Sequence, residues 1–140
     1  MILVDSSGLL AVIDSRQRSH AAAATALNRA APPFVLSPFV LAELDYFLTT
    51  RVGLPQELAL LADVARGVYR LEPFSALDIT QARRAIERYR DLSIGLADAS
   101  IVVLAGRHGV RDVLTLDRRH FSALRTPTGE RFKILPAPAH

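Results

Sequence analysis

The sequence predicts an α/β fold on a mostly parallel sheet. Five short stretches, at residues 2–4, 34–36, 69–72, 113–116 and 132–135, have the length of strands, and the first, second and fourth are almost wholly apolar. Segments with helical patterning separate them, which is the arrangement of strands joined by helical crossovers. The 140 residues fit one domain with a single sizeable core, and no repeat, low-complexity stretch or linker marks a second.

Each element has its own signal. After the strand Ile2–Val4, Ser6-Ser7 opens a helix through about Ile13. Residues 17–31 are alanine-rich and helical, and Pro32-Pro33 stops them. Ser37-Pro38 follows the second strand and starts a long helix to about Arg51, with proline in the first turn where its missing N–H costs nothing. Gly53 ends that helix, and Pro55 opens another to about residue 67. Pro73 closes the third strand. Residues 76–92 read as an amphipathic helix with Ile79, Ala82, Ile86 and Tyr89 on one face, and Leu96–His108 as an apolar helix capped by Gly109. A short helix at 119–124 joins the fourth strand to the fifth, and a Pro/Ala tail occupies about 136–140.

Composition narrows the function classes. Half of the residues are hydrophobic but only 6% are aromatic, so alanine, leucine and valine must fill the core. With no cysteine, disulfides, thiolate metal sites and cysteine nucleophiles are excluded. The first residues lack a basic segment and carry Asp5, unlike a signal peptide, and no apolar run approaches the ~18 residues of a membrane span. A soluble, cytoplasmic protein with no membrane partner is expected. Net charge is +3, and Lys133 is the only lysine among 17 basic residues. Arginine suits phosphate, although a GC-rich coding bias enriches it too.

Four carboxylates stand out. Asp5 ends Ile2-Leu3-Val4, and Asp117 ends Val113-Leu114-Thr115-Leu116. Glu43 shares a helix face with Phe39, Val40 and Phe47, on or beside the inward stripe. Asp98 shares one with Ile94, Ile101, Val102 and Ala105. No lysine or arginine lies within four residues of Glu43 or Asp98. An isolated buried carboxylate is costly, so such acids are paired, protonated or bound to metal. In a parallel sheet, strand ends and the starts of following helices share one edge, where ligands bind. Four acids distant in sequence can therefore converge there. Each also has an ordinary structural role: Asp5, Asp98 and Asp117 as helix caps, Glu43 as an exposed acid near a helix N-terminus. The set is more specific than its members. An all-oxygen constellation favours Mg²⁺ or Mn²⁺ over zinc, and such sites activate water for phosphoryl displacement.

Ser7 and Thr115 each lie two residues from an acid and are candidates to orient a ligand or water. Arg118 and Arg119 directly follow Asp117 and are the candidates to hold a phosphate backbone. Asp45 follows Glu43 by two residues and reads as a surface group on another face. His20, His108, His120 and His140 share no ligand spacing, and three of them read as surface. His120, close to Asp117, is a candidate for substrate contact only.

The segments Ile2-Leu3-Val4-Asp5-Ser6-Ser7-Gly8-Leu9-Leu10, Ser37-Pro38-Phe39-Val40-Leu41-Ala42-Glu43-Leu44, Leu96-Ala97-Asp98-Ala99 and Leu114-Thr115-Leu116-Asp117-Arg118-Arg119-His120-Phe121 together resemble a PIN domain of the VapC toxin type. The resemblance spans essentially the whole chain. It implies one domain over residues 1–140: an α/β/α sandwich with a central mostly parallel sheet of four to five strands. It implies a Mg²⁺- or Mn²⁺-dependent endoribonuclease that hydrolyses RNA, with tRNA or rRNA as the expected substrate, leaving a 5′-phosphate and a 3′-hydroxyl. It also implies a homodimer neutralised by a cognate VapB antitoxin. The family's acids fall on Asp5, Glu43, Asp98 and Asp117, and its small polar residues on Ser7 and Thr115.

Other acid-clustered α/β folds fit less well. A phosphoacceptor receiver domain needs a paired acid near the first strand and a lysine at a late strand end. Here Asp5 is followed by serines, and Lys133 lies within the last strand. Haloacid-dehalogenase-type phosphatases need aspartate two residues after the first, and position 7 is serine. The alternative of another class is a catalytically idle module whose basic surface binds RNA or protein and whose acids only cap helices.

Overall fold

A computed structural model describes residues 1–138 and shows five strands flanked by seven helices. In chain order these are β1 (Ile2–Val4), α1 (Ser6–Ile13), α2 (His20–Arg29), β2 (Phe34–Leu36), α3 (Pro38–Arg51), α4 (Leu54–Ala65), β3 (Tyr69–Leu71), α5 (Ala76–Arg88), α6 (Leu96–His108), β4 (Asp112–Leu114), α7 (Arg118–Ala123) and β5 (Lys133–Leu135). All five strands are parallel, in the order β3-β2-β1-β4-β5. The expected sandwich is therefore present, with its sheet parallel throughout.

The central strands β1, β2 and β4 read as apolar because the sheet is covered there and needs no polar face. Ile2, Leu3, Val4, Val35, Leu36, Val113 and Leu114 are all buried. Leu9 and Leu10 of α1, Val40, Leu44 and Leu48 of α3, and Ile101 to Ala105 of α6 complete the same core. The apolar residues of α4 divide: Leu60 is buried, while Leu54, Leu58 and Leu61 are exposed. Among the described residues no helix is long and apolar enough to cross a membrane. Of the tail, Ala139 and His140 lie outside the described residues.

Local boundaries depart from expectation where tight backbone turns reroute the chain. The helix expected from residue 17 begins at His20, because Gln17 and His20 amides bond the Asp14 and Gln17 carbonyls in successive turns. The helix expected over 76–92 stops at Arg88. A tight turn at Arg90–Leu92 and left-handed Ser93 (φ 53°) then bring Ile94 into the core and start α6 afresh at Leu96.

The chain winds from β1 outward through β2 to β3, then returns to lay β4 on the other side of β1. The β1/β4 boundary is thus the point where strand order reverses, the usual ligand crevice of such sheets. Gly8 lets α1 press onto that boundary. A Cβ at position 8 would lie 2.5 Å from the Leu114 carbonyl oxygen, inside contact distance of rigid backbone. Gly8→Ala is expected to push α1 off β4 and to lower stability by roughly 1–3 kcal/mol, read as a fall of several degrees in the melting temperature.

Candidate active site

Asp5 follows β1 directly and is 3% exposed. Its Oδ2 accepts hydrogen bonds from Thr115 Oγ1 at 2.7 Å and Ser7 Oγ at 2.9 Å. Each hydroxyl has one proton, and in both cases it goes to Asp5. Their lone pairs are used as well: Ser7 accepts from the Leu116 amide at 3.0 Å and Thr115 from the Asp117 amide at 3.0 Å. The two hydroxyls therefore tie the end of β1 to the chain leaving β4. Although Asp5 stands at the N-cap position of α1, its side chain caps nothing. Burial drives its pKa upward; the Thr115, Ser7 and Ser6 hydrogen bonds oppose this, and Glu43 adds repulsion.

Asp98 lies in the first turn of α6, with Gly95 at the cap position, so a capping role is excluded. Its side chain is 16% exposed. Burial, then repulsion from Asp5, pushes its pKa up to about 6; His120 pulls it down, and Asp117 raises it again. A pair of buried hydroxyls sets α6 in place. Ser100 Oγ donates to the Ala97 carbonyl at 2.6 Å, and Ser37 Oγ donates to Ser100 Oγ at 2.6 Å while capping α3 through the Phe39 amide. The helices carrying Glu43 and Asp98 are thereby locked together at their N-termini.

Glu43 lies beside the inward stripe of Val40, Leu44 and Leu48, not on it, and is exposed. What holds it at the site is buried Ser6, whose hydroxyl donates to Glu43 Oε1. Asp117 keeps its ordinary role and adds a second: Oδ1 caps α7 by accepting from the His120 amide at 3.0 Å, and Oδ2 faces the site.

His120 is the residue that sequence reasoning undervalued. Its Nδ1 lies 2.9 Å from Asp98 Oδ2 and 2.9 Å from Asp117 Oδ2. One atom from each of Asp98, Asp117 and His120 falls within 4.8 Å of the others. Asp117 is a local neighbour at the cap of the same helix, but Asp98 comes from α6, and histidine spacing alone gave no sign of that partner. Nor do the other histidines sit free on the surface: His20 contacts the Ala11 carbonyl and His108 contacts Glu72. His140 lies outside the described residues. Arg118 and Arg119 are exposed at the start of α7; Arg118 reaches the Pro136 carbonyl at 2.7 Å. Asp45, expected at the surface, is half-buried with Oδ1 unpaired among the described residues, and its nearness raises the pKa of Glu57.

Glu72 shows what a buried acid looks like when the fold neutralises it. It is 8% exposed and is met by His108, by Arg70 at 3.6 Å and by Arg107 at 3.6 Å. Among the described residues, no arginine, lysine or histidine pairs with Asp5 or Glu43, and Asp98 and Asp117 share His120 alone. The crevice thus has more negative charge than its own cations answer. Its oxygen-rich donors suit a hard divalent cation, which would relieve that repulsion.

The sequence pattern of the PIN domain matches residues 2–126. The chain is 47% identical over 135 residues to Ribonuclease VapC26 of Mycobacterium tuberculosis (strain ATCC 25618 / H37Rv), covering 96% of this chain and 100% of that protein. Among solved structures, Mycobacterium tuberculosis VapC20, described as a Sarcin-Ricin loop cleaving toxin, superposes with a TM-score of 0.78 at 24% identity, over 84% of this chain and 90% of that one. DNA-bound VapBC from Salmonella typhimurium gives a TM-score of 0.68 at 19% identity, over 95% and 96%. At these identities the structural likeness is one of fold.

Carboxylate crowding has a measurable cost. Between about pH 4 and pH 6 the folded chain retains a proton at Asp98 that the unfolded chain has released. Stability of the metal-free protein should fall as pH rises through that window. At neutral pH in chelator, Asp98→Asn should raise the melting temperature by a few degrees, on the order of 1–3 kcal/mol. Mg²⁺ or Mn²⁺ should raise it for the wild type and do so less for the variant.

Proposed function

The chain belongs to the PIN-domain family, in its VapC branch, and on that premise we propose that it is a metal-dependent endoribonuclease toxin of a toxin–antitoxin pair. The observation that carries this reading is the uncompensated charge of the β1/β4 crevice. Four carboxylates from three helices and a strand end meet there, and one of them is as deeply buried as the core.

Asp5, Glu43, Asp98 and Asp117 would hold a Mg²⁺ or Mn²⁺ ion. Such an ion supplies Lewis-acid stabilisation of a phosphodiester undergoing in-line displacement and lowers the pKa of water, so cleavage needs no histidine base. The chain's own residues prepare the site for it. Thr115 and Ser7 stabilise the charged form of Asp5 and fix which oxygen remains available. Ser6 restrains Glu43, a long side chain that would otherwise swing in solvent. Arg118 and Arg119, exposed next to Asp117, offer guanidiniums to the phosphates flanking the cut. A 5′-phosphate and a 3′-hydroxyl are the expected ends, and structured tRNA or rRNA the expected substrate.

The same reading gives the protein a VapB-type antitoxin and a homodimeric state, and places it in the cytoplasm with its RNA. Such partners have apolar surface to cover on this chain: Tyr46 of α3 and Leu54, Leu58 and Leu61 of α4 are exposed. The PIN domain occupies the whole chain in this reading, with the last few residues as a tail.

The test is to incubate the purified protein with total RNA, with and without Mn²⁺, and to map new 5′ ends. Asp5→Asn is expected to reduce cleavage by more than about a hundredfold while RNA binding persists, a loss beyond what an outer partner of a metal ligand costs. A module that binds RNA without cutting it would show no metal-dependent ends in the wild type. Thr115→Val keeps shape but removes one proton donor from Asp5; it should weaken cation binding by roughly 10–100-fold, as measured by titration calorimetry, with the melting profile still cooperative.

A further inference from the structure

We infer that His120 is a nitrogen ligand of the bound cation, which makes the centre a mixed nitrogen/oxygen site that prefers Mn²⁺ to Mg²⁺. The inference rests on the metal-dependent reading above and deepens it.

Two observations carry it. First, the ring Nδ1 is 2.9 Å from Asp98 Oδ2 and 2.9 Å from Asp117 Oδ2, so the nitrogen and both oxygens open onto one small volume. Adjacent ligands of an octahedral ion bound at about 2.1 Å stand about 3.0 Å apart, the square root of two times the bond length. Both contacts match such an edge. Second, a hydrogen bond accounts for only one of them. The Asp98 oxygen is a hydrogen-bond partner of Nδ1, whereas the Asp117 oxygen, equally close, does not meet hydrogen-bond geometry. One cation coordinated by all three atoms, with the ring proton on Nε2, accounts for both contacts.

The local fold holds the ring for this purpose. The His120 amide donates to Asp117 Oδ1, so the residue that presents one oxygen also anchors the backbone that carries the nitrogen. The ring is mostly shielded, with 19% of its side chain exposed, and Phe121 beside it in α7 is fully buried. An imidazole in the ligand set disfavours Mg²⁺, which demands oxygen donors, relative to a transition ion that accepts nitrogen.

The test loads the full-length metal-free protein with one equivalent of Mn²⁺ and records electron spin-echo envelope modulation. Wild type is expected to show modulation from a directly bound ¹⁴N, and His120→Ala to lose it while Mn²⁺ stays bound to the acids. Calorimetric titration should show Mn²⁺ affinity falling about tenfold or more in the variant, with Mg²⁺ affinity changing less. The wild-type spectrum is decisive even should the variant fail to fold. Bound Mn²⁺ without a nitrogen signal would overturn the inference and reduce His120 to a positioning donor, leaving the metal-dependent reading intact. No Mn²⁺ binding at all would remove both.

Discussion

The hydrogen bonds that converge on Asp5 are the constraint on which the rest of the site depends. A carboxylate buried at the end of the central strand is tolerable only because Thr115 and Ser7 give their protons to it. Those same hydroxyls accept the Leu116 and Asp117 amides, so the loop that carries Asp117 and His120 is hung on the group that needs solvating. Position and charge state are therefore set by one network. Its placement at the reversal of strand order follows from the winding of the sheet, since β1 and β4 are neighbours only because the chain crosses back over after β3.

The second support is packing between helices. Gly8 lets α1 approach the β4 backbone, and the Ser37–Ser100 pair joins the starts of α3 and α6. Both devices bring helix N-termini to the crevice. The partial positive charge there moderates the repulsion among the acids but does not cancel it. Glu72 makes the comparison within one molecule: a buried acid with structural duty is surrounded by histidine and arginines, while the crevice acids are left with hydroxyls and a single imidazole. Among the described residues, that deficit of cations sets the crevice acids apart from Glu72.

Several readings were legible in the chain because they depend on short-range rules. Proline and glycine punctuation located α3, α4 and α6, and short apolar runs located β1, β2 and β4, whose cover leaves no polar alternation to misread, while β3 and β5 carry Arg70 and Lys133 at the sheet edges. Asp5, Asp98 and Asp117 were legible as acids inside or against apolar runs. Ser7 and Thr115 were singled out by their two-residue offset from an acid, but only Ser7 bonds the carboxylate that the offset names; Thr115 takes the Asp117 amide and gives its proton to Asp5 instead. The exposure of Glu43 was left open, since helical spacing beside apolar residues defines a face but not what covers it. Arg88 ending α5 and the Ser93 turn had no strong breaker to announce them.

The sequence by itself determined the element types, the parallel architecture and the inventory of oxygen donors, because periodicity, capping and residue chemistry act over a few positions. Only the tertiary structure decided which donors meet. Ser6 reaches Glu43 across 37 positions, Thr115 reaches Asp5 across 110, and His120 reaches Asp98 across 22. Such contacts arise from strand order and helix packing, and no local pattern encodes them. The imidazole between two carboxylates is a divided case: Asp117 caps the same helix three residues before His120, whereas Asp98 lies on α6, and only the fold brings α6 to the start of α7.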